Sequence, residues 1–182
     1  YSQALRMARI CEEAGVLLVV NHQKRNMAEW VALKQACASG QLGQVTALRS
    51  SCYGNLLSQG THMLDQAWNV LGEPNPLWLL AGVDARTSEA PGHPAPRNAL
   101  ILIEYAGGVR GTFAIGNDSP AWPGASSEWF WCNIELLGTQ GRAEAVLNRG
   151  FRRWDAKGAL VEELESRWND TFQGAAQTQL SA

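Results

Sequence analysis

No cluster of basic residues interrupts this sequence. Its 15 lysines and arginines are scattered among 17 acidic residues, for a formal net charge of -2, and a chain without a basic stripe has no electrostatic footprint for nucleic acid. No apolar run exceeds five residues, where a membrane-spanning helix needs about 20. The first residues also lack the basic region, apolar stretch and small-residue cleavage site of a secretory signal. The setting expected is therefore soluble and cytoplasmic, with no membrane partner. The four cysteines, Cys11, Cys37, Cys52 and Cys132, form no CxxC pair and no zinc-type cluster with histidine, so reduced core thiols and no metal site are expected. Internal repeats and low-complexity linkers are missing as well. What remains, 182 residues of which 46% are hydrophobic, suffices for one packed domain with a remnant of another.

The opening segment sets Ala4, Met7, Ala8, Cys11 and Ala14 on one helical face and Arg6, Arg9 and Glu13 on the other, with Gly15 as its stop. Residues 16–20 follow as a run apolar on both sides, the pattern of a strand buried within a parallel sheet. Asn26 and Glu29 have capping-box spacing ahead of a second helix whose apolar side is Met27, Trp30, Val31, Leu33 and Cys37. Residues 45–53 alternate like a strand, and residues 57–71 return to helical periodicity until Gly72-Glu73-Pro74. Beyond them lie strand-like runs at 77–87, 99–105, 109–115, 129–137, 143–147, 151–154 and 159–164. Gly107-Gly108 has the makings of a tight hairpin turn. The fold class is α/β (α+β): a large, mostly antiparallel open sheet with helices on one face, preceded by a lone helix and strand.

The segment 57–71 carries the chemistry. Leu57, Gly60, Met63, Leu64, Ala67, Trp68 and Leu71 make its apolar face, while Ser58, His62, Asp65 and Asn69 fall in one polar stripe at spacings that let neighbours touch. A histidine titrates near neutral pH, and a carboxylate one turn away can fix its tautomer or raise its pKa, as proton transfer from a hydroxyl requires. The competing reading is a solvated histidine on an ordinary amphipathic helix. His22, Lys24 and Arg25 follow the run 16–20 at its C-terminal end, where open α/β sheets place their ligand crevices; a charged crossover loop accounts for them equally. Tyr53 and Asn55, just before the helix, could line the same pocket or simply make a turn. His93, Asp118 and Glu128 lie in loops with no partner evident from the sequence.

Gly40-Gln41-Leu42-Gly43-Gln44-Val45, a strand, Gly54-Asn55-Leu56-Leu57 and then Gly60-Thr61-His62-Met63-Leu64-Asp65 resemble, in order and spacing, the glucose-fructose oxidoreductase and inositol dehydrogenase family (Gfo/Idh/MocA). The upstream helix, strand and Arg25 resemble the end of that family's Rossmann domain, and Gly138-Thr139-Gln140-Gly141 its later hairpin. The resemblance covers roughly residues 2–147. It implies residues 1–25 as a Rossmann remnant and residues 26–182 as a substrate and oligomerisation domain, cut short at its C-terminal end.

The activity that the resemblance implies is that of an NAD(P)-dependent oxidoreductase acting on a secondary alcohol of a sugar, inositol or related polyol. His62 would take the proton with Asp65 beside it, and Arg25, His22, Lys24, Tyr53, Asn55 and Ser58 would surround the substrate. The sheet face would hold a homo-oligomer together, with Trp129 and Trp131 opposite the apolar side chains of the strand 129–137. Two departures weigh for a non-catalytic scaffold or ligand-binding member instead. Ser58 stands where the family often has an aspartate, and neither the Gly-x-Gly-x-x-Gly turn nor the Glu-Lys-Pro motif is present. NAD or NADP is thus expected in the full-length protein, and none on this chain alone.

Overall fold

The computed structural model describes residues 1–85, 87–88, 95–119 and 131–166. The expectations for His93, Glu128, Trp129 and the last stretch 170–182 fall outside the described residues.

Alternating burial makes the sheet one-sided. In β5 (Asn98–Tyr105) the residues Ala99, Ile101, Ile103 and Tyr105 are buried while those between them are not, and β1 (Val45–Cys52), β6 (Arg110–Gly116) and β7 (Cys132–Gly138) follow the same rule. With β2 (Pro76–Val83), β8 (Gly141–Val146), β9 (Gly150–Asp155) and β10 (Leu160–Leu164), they form one eight-stranded sheet in the order β10-β9-β8-β7-β1-β6-β5-β2. Every neighbouring pair is antiparallel except β1 and β6. A separate pair, β3 (Thr87–Ser88) and β4 (Ala95–Pro96), lies apart from it.

Two helices cover the apolar face: α2 (Ala28–Ala38) packs on β8 and β9, and α3 (Thr61–Val70) on β1. Trp30, Leu33, Leu48, Met63, Phe113, Ile134, Leu136 and Phe151 are fully buried between the layers, each worth about 1.5–3 kcal/mol of burial. The expected architecture, a mostly antiparallel sheet with helices on one side, is the one found.

Two of the motifs that carried the resemblance dock on one another. Backbone N–H groups of Thr139 and Gln140 donate to the carbonyls of Gln44 and Leu42, and Gln44 N–H donates to Thr139 Oγ1 at 3.1 Å. A side chain at Gly138 would meet the Leu42 carbonyl oxygen, and one at Gly43, whose φ is 69°, would meet Thr139 Oγ1. Glycine at both positions is what lets the turn after α2 sit against the β7–β8 hairpin.

Four expectations need correction. Residues 16–20 form no strand and are exposed, Leu17 at 86%. A parallel strand is stable only when paired and covered, and among the described residues no strand pairs with this run. The helix before it, α1 (Ser2–Glu13), buries no residue either. The segment 57–71 is not one α-helix: a π-helical turn over Leu56–Gly60 precedes α3. Its wider turn shifts the phase, so Leu57 and Trp68 are exposed while Gln66 and Asn69 are buried. The strand expected at 77–87 stops at Val83, where Asp84 accepts from the backbone and side-chain N–H groups of Asn98. Trp131 precedes β7 rather than lying exposed on it. It is 4% exposed, and its indole donates to Ser51 Oγ at 3.2 Å.

Candidate functional site

The site is built by the π-helical turn. Asn55, almost fully buried, accepts the Ser58 N–H on its Oδ1 at 2.8 Å, and its carbonyl accepts from Ser58, Gln59 and Gly60. The Gly60 bond is the five-residue closure that defines a π-turn. Asn55 and Ser58 are thereby committed to capping, which is what a short polar side chain at a helix start does. Tyr53 points elsewhere, its hydroxyl accepting from Asn117 Nδ2 at 3.5 Å. Of the eight sequence candidates the structure gathers five: His22, Lys24, Arg25, His62 and Asp65.

Lys24 and Arg25 ride on a 3-10 helical turn, Gln23–Asn26, that packs against α2 and α3. Arg25 grips Asp65 with two parallel bonds, Nε to Oδ2 at 2.8 Å and Nη2 to Oδ1 at 2.6 Å, the fork geometry in which guanidinium and carboxylate bind best. Its remaining Nη1 donates to Glu73 at 2.8 Å, and the guanidinium lies 5.8 Å from the Trp68 ring. The Asp65 hydrogen bonds, with Glu73 adding to them, hold Arg25 still more firmly in its charged form. Asp65 is thus the partner of Arg25, not of His62. Helical spacing brings it near the imidazole, but the two-bond fork orients it the other way.

His62 meets His22 instead, ring edge to ring face at 5.1 Å between centroids. His22 Nδ1 lies 3.6 Å from Asp65 Oδ2, too long for a hydrogen bond, and the Nδ1 atoms of both histidines are buried without a partner. Burial first, then the charges of Lys24 and His22, push His62 down to about 4, with Asp65 opposing weakly. Lys24 is 5% exposed and donates to Gln59 Oε1 at 2.8 Å. Gln59, Glu73 and Trp68 were not among the sequence candidates, and Gln59 lies 35 residues from its partner.

Beside these residues a cleft of about 310 Å³ is lined by Val20, His22, Arg25, Asn26 and Asp65. A second cleft, about 270 Å³, is lined by Glu144, Asn148, Arg152, Ser166 and their neighbours, with none of the candidate residues on its wall. The first is the more telling because three of the gathered candidates, His22, Arg25 and Asp65, converge there. Among the described residues, no three of histidine, cysteine, aspartate and glutamate are placed to hold a metal ion. None of the described helices is long and apolar enough to cross a membrane.

A dinucleotide needs an open glycine turn at a helix N-terminus. At the start of α1 the N-cap Tyr1 makes no side-chain bond. Gly60, at the start of α3, is closed by packing, since a Cβ there would meet Ile115 at 2.9 Å. Among the described residues, the start of α3 is therefore not a pyrophosphate cradle.

Comparison with known proteins places this geometry. No curated protein sequence matches the chain. Among solved structures, an oxidoreductase from Agrobacterium radiobacter in complex with NAD+, L-tartaric acid and magnesium is 21% identical with a TM-score of 0.71, over 98% of this chain and 57% of its own. GenD2 from gentamicin A biosynthesis, in complex with NAD, is 19% identical with a TM-score of 0.73, over 100% of this chain and 58% of its own. An inositol dehydrogenase homolog from Azotobacter vinelandii, complexed with NADH and myo-inositol, is 18% identical with a TM-score of 0.69, over 90% and 46%. The chain therefore spans about half of the length of these oxidoreductases, and the likeness is one of fold. The family model described as the GFO/IDH/MocA C-terminal domain matches residues 53–144, half of the chain. With the eight-stranded sheet, the docked glycine turns and the His62 helix in place, the chain belongs to the GFO/IDH/MocA C-terminal domain family.

Proposed function

We propose that this chain is the substrate-side domain of an NAD(P)-dependent oxidoreductase that oxidises a secondary alcohol of a sugar, inositol or related polyol, with His62 receiving the hydroxyl proton. The observation that carries the reading is the state of His62. Held down to about 4 and with an orphaned Nδ1, its imidazole is neutral at pH 7 and able to accept a proton. So weak a base suffices for this reaction. As hydride leaves the carbon, the hydroxyl it carries turns into a protonated carbonyl, which is a strong acid. Arg25 and His22, on the cleft wall, would bind substrate hydroxyls, while Lys24, occupied by Gln59, acts on His62 through its charge. Hydride acceptance belongs to NAD or NADP in the full-length protein.

A non-catalytic member is the second reading, favoured by Ser58 and by the commitment of Asp65 to Arg25, which together leave His62 without a carboxylate partner. The test is reduction of NAD+ and NADP+ by the full-length protein, followed by nicotinamide absorbance over a panel of inositols, sugars and sugar acids. Turnover on at least one member is expected. Saturable binding of these compounds without turnover supports the second reading and rejects the first.

In the same proposal residues 1–25 are the end of a dinucleotide-binding domain and residues 26–182 the substrate and oligomerisation domain; that α1 buries nothing within this chain supports the division. Self-association through the outer sheet face completes the proposal, with its apolar patch now on β2 and β5. Trp78 and Leu80 face Glu104 and Leu102 across the ladder there, and Trp78, Leu80 and Leu100 are exposed. An exposed aromatic and leucine patch is uncommon on a monomer. Light scattering should show a dimer or larger species that W78S/L80S reduces in mass; a monomeric parent, or an unaltered double mutant, rejects the interface.

A further inference from the structure

We infer that Cys52 and Cys132 form a reversible dithiol–disulfide site beneath the His62 helix, with Lys24 selecting Cys132 as the sulfur that reacts first. The inference does not depend on the dehydrogenase reading, since its chemistry is complete without a substrate. Cys52, the last residue of β1, faces Cys132, the first of β7, with their Sγ atoms 3.0 Å apart and both side chains fully buried.

The ladder favours this pairing. Tyr53 N–H donates to the Trp131 carbonyl, which makes the next pair inward, Cys52 and Cys132, a non-hydrogen-bonded one. In such pairs the Cα atoms approach to about 4.5 Å and side chains come closest. That distance lies within the Cα range of about 4.4–6.8 Å that a disulfide accepts. The strands need not move apart or change register for the bond to form.

The two sulfurs are not equivalent. Lys24 Nζ lies 3.8 Å from Cys132 Sγ, and the two sulfurs share a hydrogen bond; that bond and the lysine lower the Cys132 pKa against its burial, while the bond and burial push Cys52 well up. A buried thiol in apolar surroundings is inert, whereas one beside a buried ammonium has thiolate character and reacts with peroxides.

The steps balance. The Cys132 thiolate attacks one peroxide oxygen and the O–O bond breaks. The departing oxygen takes up the Cys132 proton and leaves as water, with Cys132 as the sulfenic acid. The Cys52 sulfur then attacks the Cys132 sulfur, the S–S bond forms, and the S–O bond breaks to give hydroxide. That hydroxide takes the Cys52 proton and leaves as a second water. Two thiols lose two electrons and one peroxide becomes two waters. A small dithiol such as dithiothreitol reverses the outcome. Because Lys24 also binds Gln59 in the π-turn and depresses His62, oxidation reaches the candidate site through one residue.

The 182-residue chain is treated with hydrogen peroxide, denatured, alkylated and digested without reduction. A peptide pair linking Cys52 to Cys132 is expected, with Cys11 and Cys37 alkylated and the link lost on dithiothreitol. Lys24→Met should slow its formation by roughly tenfold, through the smaller thiolate fraction. Cys52→Ala removes only a sulfur and should leave Cys132 as the sulfenic acid, trapped as its dimedone adduct. Equal alkylation of all four cysteines after peroxide, a link through Cys11 or Cys37 in its place, or dimedone on Cys52 in Cys132→Ala faster than on Cys132 in Cys52→Ala overturns the inference.

Discussion

Asp65 and His62 share one helix three residues apart, yet one side of the site is charged and fully bonded while the other is neutral and orphaned. Asp65 faces the 3-10 turn, where Arg25 supplies two donors and Glu73 and Trp68 steady the guanidinium from behind. His62 faces Lys24 and His22 and has lost much of its water. The same backbone thus carries a rigid ionic clamp and an orphaned imidazole, and what separates them is which neighbour each meets. The clamp gives precision of position, since a fork with two short bonds fixes both partners. The orphaned imidazole keeps its bonding capacity for something that arrives from outside.

The largest effect should come from removing the proposed proton acceptor. In the full-length protein His62→Ala is expected to lower turnover by roughly two to four orders of magnitude, the reach of general acid-base catalysis. Unchanged turnover would turn His62 into a bystander and erase the contrast with Asp65. Breaking the clamp should act on stability. Arg25→Ala leaves Asp65 without its fork, and urea unfolding should report a loss of about 1–3 kcal/mol, as for hydrogen bonds to charged groups. Arg25→Lys should recover only part of it, because an ammonium cannot reproduce the two-bond geometry. A loss within about 0.5 kcal/mol would class the pair with ordinary surface bridges.

The smallest effect is a titration. NMR of the imidazole should give a midpoint for His62 about 4, against an ordinary 6.5, and Lys24→Met should raise it part of the way while burial keeps it below 6.5. Between those values the unfolded chain binds a proton that native His62 refuses. The His62 contribution to stability is therefore complete above 6.5 and lost as pH falls toward 4. A midpoint at 6.5 in the parent chain would mean that His62 is solvated like any surface histidine.

The sheet is largely legible in the sequence because strand patterning is local. The alternation at 45–53, 99–105 and 109–115 marks β1, β5 and β6 to within two residues. The run at 16–20 misleads for the opposite reason, since a buried parallel strand exists only through neighbours that the described residues do not supply. At the site, residue identities are readable and partnerships are not. Helical spacing rightly brings Asp65 and His62 onto one polar stripe, but it is blind to Arg25, 40 residues away, whose two bonds take the carboxylate. Asn55 and Ser58 carry a readable signal, a short polar residue three before a backbone N–H at a helix start, which favours a cap over a pocket wall. The π-turn leaves no such mark, because its defining bond depends on the burial of Asn55 beneath the segment after it.

β1, the first strand among the described residues, lies in the interior of the sheet, between β7 and β6. It emerges during synthesis before either of its neighbours, which sit at 110–116 and 132–138, so no hairpin can nucleate on it. Loops of more than 50 residues must close first, the kind of non-local pairing that slows folding. β5 and β6, joined by a short turn, can pair at once and offer β1 an edge to dock on. Folding should therefore start on the β5–β6 hairpin and finish when β7 closes the other side. Until β6 docks, β1 presents two open edges to any other chain nearby, and until β7 closes it still presents one, so the interval between its synthesis and that of β7 is when this protein is most exposed to misassembly.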